Sequence, residues 1–518
     1  MELPYDSPDG CFSLIEKGKG IWIPLLALVF GLIFVHASGQ VWAAEWTLAP
    51  SLEVSETYLD NVTLAPPGDE ESDYITQITP EILAHAKGRR GELDLAYRMQ
   101  NLLYVNNSQA NTTYHQLVAN TTAELVREVL FIDADGSYGQ APISQEGAVG
   151  FDNLAVTENR TNVGTYSISP YLLKQFGRFA SAELRYTYEK VEYSEDTASV
   201  ADSDGHRIFA QLGSSRTSQR LTPGYRPNQV SPSRQYSTPL DWSLIYQRDE
   251  SNNRDGADTK FEETVLQLHY RLGAETALRA DLGYEDNEYE RSPDSEEPKG
   301  LFWSVGMVWN PSRRTSLEAT TGERFYGQHY DLAFRHQTRR TTVEVLYLEE
   351  TINPSGALLE SPFSLVGDEL GSPVPDPSGE LQPVEVPLPS IGTEVYLRKR
   401  LTANISKSTA KSIFRMEVFN EERDYQATGD EERVYGGNAV WDWRLAPRTS
   451  SMLRGDWQRQ ELRNGEEDEL WQISLRVTRK VRANVDGFLE YRHVRQQSTE
   501  AENEYRQNSI AAGVRIQF

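Results

Sequence analysis

The sequence predicts an all-β chain closed into a transmembrane antiparallel β-barrel of bacterial outer-membrane type. Three observations predict it. Apolar and polar residues alternate with a period of two from residue 46 to the last residue. A short apolar segment of export type precedes them. The chain ends on an aromatic, Phe518, at the tip of one more alternating stretch.

The export segment comes first. Lys17 and Lys19 precede an apolar run from Ile21 to Val35, and the small residues of Val41-Trp42-Ala43-Ala44 follow it. A positive region, a short apolar core and an A-x-A-like site are the parts of a secretory signal. The run holds 15 residues and is interrupted by Pro24, whereas a spanning helix needs roughly 20. Residues 1–43 therefore read as a signal peptide cleaved after Ala43 or Ala44, and 44–518 as the barrel. The single cysteine, Cys11, lies before the apolar run. A mature chain without thiols has no disulfides, Cys-ligated zinc or cysteine nucleophile.

Composition narrows the choice further. Net charge is −26; the signal carries two Lys against Glu2, Asp6, Asp9 and Glu16, so by subtraction the mature chain holds about −24. Nucleic acid is excluded as a partner, because its phosphates demand a basic surface. Hydrophobic residues make up only 38%, yet there are 26 Tyr, 17 Phe and 10 Trp. That aromatic content argues against disorder. A barrel with a wet interior shows its apolar residues as alternation and hides few of them.

The alternation itself is explicit. Leu93, Leu95 and Tyr97 oppose Glu92, Asp94, Ala96 and Arg98. Leu184, Tyr186 and Tyr188 oppose Glu183, Arg185, Thr187 and Glu189. Leu266, Leu268, Tyr270 and Leu272 oppose Gln267, His269 and Arg271, and Leu278, Ala280, Leu282 and Tyr284 oppose Arg279, Asp281, Gly283 and Glu285. Two further stretches follow the rule: Ala439, Trp441, Trp443, Leu445, and Trp471, Ile473, Leu475, Val477. A period of two puts each set on one face of a strand. A sandwich core would not tolerate such charges unpaired, whereas lipid outside and water inside accommodate both faces. A soluble propeller would show a blade repeat of fixed length, and the sequence has none.

The connections give an independent signal. One class is short and basic: Lys87 to Arg90, Lys174 to Arg178, Asn310 to Arg314, Arg339-Arg340, Ala446 to Arg448, and Arg479 to Arg482. The other is longer and acidic: Asp69 to Asp73, Asp249 to Asp258, Asp286 to Glu297, Glu421 to Glu432, Glu461 to Glu469, and Glu500 to Glu504. The classes largely alternate, as periplasmic turns and outer loops would. Segments of roughly ten residues give about 22 strands, with 20 to 24 open and Glu394 to Ile405 the least defined. An even count puts both termini on the periplasmic side. Ser214 to Thr238 departs from the pattern: periplasmic by parity, yet long, basic and holding Pro223, Pro227 and Pro232. It reads as an internal extension or two short strands. The outer loop 352–391 holds eight prolines, which cannot donate to a ladder and favour extended chain. It reads as a disordered surface loop or as a constriction folded over the pore.

Chemical motifs are sparse. The mature chain has seven histidines, at 85, 115, 206, 269, 329, 336 and 493, and none pairs with another at ligand spacing on one strand. No metal or other cofactor is expected. Asp133-Ala134-Asp135-Gly136-Ser137 hints at a calcium loop, but Tyr138 and Ser144 stand where an EF-hand needs Gly and Glu. It reads as a strand entering a turn. An outer-membrane hydrolase would need a nucleophile fixed beside a base; no spacing identifies one, so an enzyme is not expected. The candidate lumen-lining residues are Glu183, Arg185, Gln267, His269, Arg271, Arg279 and Asp281. They either pair across neighbouring strands to fix register or line a path for a polar solute, and the two readings are compatible.

Several stretches resemble the outer-membrane barrel family associated with the PEP-CTERM/exosortase system. They are Ser51 to Val62, Leu95-Ala96-Tyr97 through Asn101 to Tyr104, Glu128 to Ala134, and Gly322 to Gly327 followed by a His-Gln-Thr-Arg-Arg turn. The final strand, Ile510 to Phe518, is similar to the closing strand of outer-membrane proteins, whose terminal aromatic is read by the barrel-assembly machinery. The resemblance implies a barrel encoded near exopolysaccharide clusters, and no catalytic or ligand residue carries over. The expectation is a porin-like outer-membrane barrel that exports or handles exopolysaccharide or another polar solute. Outer-membrane lipid and a separate periplasmic export scaffold would be its partners. The alternative is a non-transporting barrel that anchors surface polymer or matrix proteins.

Overall fold

The computed structural model describes residues 45–143, 147–148, 150, 152–177, 179–194, 202–214, 239–254, 257–293, 295, 297–354 and 394–518. They form 22 antiparallel strands in one sheet. The first quarter holds β1 (Glu45–Leu59), β2 (Asp73–Lys87), β3 (Gly91–Tyr104), β4 (Thr112–Val126) and β5 (Leu130–Ala141). β6 (Thr161–Phe176), β7 (Ala180–Tyr193), β8 (Ser203–Ser214), β9 (Leu240–Asn253), β10 (Thr259–Arg271) and β11 (Thr276–Asp286) follow. Then come β12 (Lys299–Ser312), β13 (Thr315–Arg324), β14 (Gly327–Gln337), β15 (Thr341–Ile352), β16 (Tyr396–Ser408) and β17 (Ser412–Tyr425). β18 (Glu431–Ala446), β19 (Thr449–Glu461), β20 (Glu467–Arg482), β21 (Val485–Ser498) and β22 (Tyr505–Gln517) complete the sheet.

Each strand pairs with its chain neighbours, and β22 returns to β1 in a register that sets Ser51 opposite Gln517 and Leu59 opposite Ser509. The sheet is closed and leaves no strand edge to template aggregation. The expected strand count and parity are both met. Pro80, Pro170 and Pro311 fall where a ladder lapses or shifts. Pro80 lies between the β2–β3 pairs Ile78–Asn101 and Glu81–Arg98, and Pro170 between the β6–β7 pairs Ile168–Tyr188 and Tyr171–Arg185. Pro311 sits at the β12–β13 register shift. A residue without an N–H is tolerated at those places.

One face of the strands is apolar and exposed. Leu184, Tyr186, Leu266, Leu268, Tyr270, Leu278, Leu282, Tyr284, Ile473 and Leu475 all project from the outer surface. Trp441 and Trp443 stack at 5.4 Å between ring centroids near one end of that surface, and Trp457 and Trp471 meet at 5.8 Å near the other. Aromatic rings with one wet edge gather at such levels of a membrane-facing wall. Leu93 departs from the exposed set, because Ala86 on β2, Ala119 on β4 and Ala134 on β5 let it sink into a shallow apolar patch. The opposite face is polar and points into the barrel.

The two ends differ as the sequence predicts. Even-to-odd connections are tight at 88–90, 313–314, 338–340, 447–448 and 483–484. The basic segments lie at that end, and the acidic segments lie at the odd-to-even connections of the other. Of Ser214 to Thr238, residues 215–238 lie outside the described residues, as do 355–391 of the proline-rich loop and 1–44, which include the expected signal. Asp133 to Ser137 is not a strand entering a turn but the middle of β5, running opposite Thr122 to Val118 of β4. Its Asp-Ala-Asp spacing matches the pleat, which puts both carboxylates on the inner face.

Candidate lumen site

The sequence-derived candidates fall into two patches and one outlier. Register places Gln267 opposite Asp281 and His269 opposite Arg279, so β10 and β11 bring these four together on the inner face. Arg279 reaches Asp281 at 2.9 Å and Glu318 of β13 at 2.5 Å, while the Ser304 hydroxyl donates to Asp281 at 2.9 Å. The second patch sets Arg185 against Glu183 at 3.1 Å and against Asp133 of β5 at 2.9 Å. Arg271 ends β10 and is exposed at the tight-turn rim.

These pairs reach further than expected. The sequence predicts pairing between adjacent strands, yet Arg185 passes over β6 to reach β5, and Arg279 passes over β12 to reach β13. An aromatic ring on the strand between supports the crossing in the first case. The Arg185 guanidinium sits 3.8 Å from the Tyr171 ring centroid. The same device recurs where Arg324 lies 4.3 Å from the Phe302 ring on its way to Glu285, at 3.3 Å. A planar cation stacks on a π face and keeps its edge donors free for carboxylates. A second rule is local. Acid and arginine two residues apart share a face, and the strands pair them: Arg454 with Asp456 at 2.8 Å, Arg492 with Glu490 at 2.9 Å, Arg423 with Glu421 at 2.6 Å.

The Arg423 network is deeply buried. Register sets Arg423 opposite Glu432 and Arg400 opposite Glu421. Arg423 is 2% exposed and Glu421 0%, so neither charge can rely on water. Arg400 reaches Glu421 at 3.0 Å, and Arg423 and the Tyr425 hydroxyl both donate to Glu432, at 3.3 and 2.6 Å. On β14, His329 lies 3.0 Å from Asp331 and 3.4 Å from Glu349 of β15, with the Tyr326 hydroxyl 2.8 Å from its Nδ1. Burial pushes the Tyr326 phenol, in the β13–β14 turn, well above its ordinary range.

A closed, 22-stranded wall with an apolar outer face and paired charges inside has a counterpart among known families. Residues 37–328, more than half of the chain, match the family described as "Putative beta-barrel porin 2". The chain belongs to that family. No curated protein is similar enough to count as a match. Among solved structures, this porin is similar to the siderophore receptor PirA of Pseudomonas aeruginosa, at 10% identity over 91% of this chain and 80% of that one, with a TM-score of 0.44. It is also similar to PirA of Acinetobacter baumannii, at 8% identity over 91% and 81%, with a TM-score of 0.48. The FrpB iron transporter of Neisseria meningitidis matches at 10% identity over 91% and 82%, with a TM-score of 0.47.

Some features of the porin escape sequence reading. His85 of β2 and Glu92 and Asp94 of β3 bring one ligand-type atom each within 4.8 Å of one another. Ligand spacing along one strand cannot reveal a group built across a hairpin. Asp94 already engages His85 at 2.7 Å and Lys87 lies 3.3 Å from Glu92, so the group is satisfied as an ion-pair cluster at the tight-turn rim. The Arg423 and His329 networks escape as well. Their signal is present, in Glu421-Glu422-Arg423 and His329-Tyr330-Asp331, as acid and base two apart on an alternating strand.

Proposed function

We propose that this porin sits in a bacterial outer membrane and gives passage to polar, hydroxylated solutes, exopolysaccharide among them. The observation that carries the reading is the inner wall. It bears charges of both signs that pair with one another, as Arg279 does with Asp281, Arg185 with Asp133 and Arg423 with Glu421. Such a wall offers donors and acceptors to hydroxyls without a single-signed field that would trap an ion. Inner aromatic rings such as Tyr171 and Phe302 are capped by guanidinium groups, so sugar contact would come through hydrogen bonds rather than ring stacking. After export the chain would be inserted by the barrel-assembly machinery reading Phe518, surrounded by outer-membrane lipid, and coupled to a separate periplasmic scaffold for polymer export.

Liposome swelling in a graded series of neutral oligosaccharides tests passage. Proteoliposomes should swell faster than protein-free liposomes, with rates falling as chain length rises; equal rates would remove the reading. Polymer export is tested by deleting the gene. Secreted polysaccharide unchanged in amount and length would discard exopolysaccharide as the solute and leave passage of smaller solutes standing.

A second reading, a non-transporting barrel that anchors surface polymer, draws on the inward fold of residues 152–160, whose Asp152 reaches Arg492 of the inner wall. It predicts no swelling with any sugar and loss of cell-bound polymer on deletion.

A further inference from the structure

The connection between β5 and β6 spans 142–160 and does not stay at the rim. Its residue Asp152 meets Arg492 of β21 at 2.5 Å. In the sheet, β4, β3, β2, β1 and β22 separate β5 from β21. Six steps at about 4.8 Å make roughly 29 Å of wall. Asp152 stands nine residues before the start of β6, a reach of about 30 Å at full stretch. Arg492 lies six residues below the end of β21 at Ser498, which is about 20 Å down the strand. The segment therefore runs along the inner wall, over the strands that lie between β5 and β21.

It is held there along its length. Arg160 donates to three of its carbonyls, those of Asp152 at 2.7 Å, Ala155 at 3.1 Å and Asn153 at 3.3 Å, and so fixes the bend. Asn153 donates to Gln100 on β3 at 2.9 Å. Leu154 packs in a buried cluster with Leu59, Val62, Ile75 and Leu102, and its carbonyl accepts from the Tyr104 hydroxyl at 2.9 Å. Ala155 packs with Leu64, Val494 and Tyr505. The first outer loop joins in through the Val156 amide, which donates to the Val62 carbonyl at 2.8 Å. Leu64 in that loop has a φ of 55°, a left-handed backbone that a non-glycine residue keeps only where packing holds it.

We propose that this strap is the selectivity constriction of the porin, and that the Asp152–Arg492 pair helps set the size and charge of what passes. A barrel of 22 strands encloses a bore too wide to be filled by its wall side chains alone. A segment pinned against one side of the wall by apolar contacts and an ion pair narrows that bore. The inference rests on the passage reading for its biological meaning, but the strap can be tested apart from it.

The test compares the full chain with a variant lacking residues 152–158 and with Asp152→Asn and Arg492→Gln, each refolded and shown to shift on heating in gel electrophoresis. Single-channel conductance in planar bilayers is measured with polyethylene glycols of graded size. The deletion should raise conductance at least about twofold and admit larger polymers. Arg492→Gln should move ion selectivity toward cations and Asp152→Asn toward anions, which a merely structural tie would not do. A closed wild type with an open deletion variant supports the strap while overturning passage at rest. A conducting wild type with an unchanged deletion variant overturns the strap and leaves passage intact. Closed channels in both overturn the strap as the barrier. Should the deletion fail to fold, the point variants decide alone, and unchanged selectivity in both overturns the proposal.

Discussion

Two stretches of the inner wall meet the same physical demand by opposite means. From β21 through β1 to β6, folded-in loops cover the wall, and Leu59, Val62, Ile75 and Leu154 pack there as a small apolar core. From β13 to β19 the strands carry Arg423, Glu421, Glu432, His329 and Asp331, and each charge is answered by a neighbour. The first wall adds loop partners to the pairs its strands make, and the second finds its partners within the strands. The strap should therefore be removable without losing the barrel, whereas the charged wall is part of what closes it.

The largest expected effect tests the charged wall. Arg423→Ala leaves Glu421 and Glu432 buried beside one fewer cation, and removing one partner of such a group costs about 3–5 kcal/mol. The urea midpoint of the refolded porin should fall accordingly; a change within error would mean that water already serves these carboxylates. On the covered wall, Leu154→Ala should cost about 2 kcal/mol or more for the lost packing. Here the loss should be local, read as faster proteolysis of the strap with little change in the global midpoint. If instead the whole barrel melts earlier, the two walls are not separable.

Smaller effects sharpen the contrast. A double-mutant cycle on Arg185 and Asp133 should give a coupling of about 1–3 kcal/mol, because the pair is buried and crosses a strand on the Tyr171 ring. Zero coupling would reduce that crossing to a coincidence of packing. At the bottom of the scale stands Arg448 in the β18–β19 turn, exposed at the tight-turn rim. Arg448→Ala should stay within about 0.5 kcal/mol of wild type by the same urea measurement.

The barrel is legible in the sequence for a physical reason. Period-two alternation is a local property, and a strand between lipid and water must show it, so Leu278 to Glu285 declares both faces without a partner in view. Loop charge and length mark the two ends for the same reason. The site is legible only where it is local. Glu183 with Arg185, and Arg279 with Asp281, stand two residues apart and can be read along one strand. The reach of Arg185 to Asp133 depends instead on which strand lies two away. The strap is invisible in the sequence: Asp152 and Arg492 are 340 residues apart, and 142–160 carries one proline, Pro142, against the eight of 352–391. Proline content leaves 352–391 open as a disordered surface loop or a constriction, and 355–391 lie outside the described residues, whereas nothing in the composition of 142–160 marks it as a loop that folds inward.

Every contrast drawn above requires that one face of each strand meet lipid and the other meet water inside. Single cysteines placed along β11, in a chain whose Cys11 is replaced by Ser, test it most directly in liposomes. Gly283 is left in place, because the Phe302 ring fills the space beside it. A water-soluble maleimide should react at 279, 281 and 285, and a lipid-borne quencher should reach probes at 278, 280, 282 and 284. Equal labelling at all of these positions, or the reverse alternation, would contradict the account.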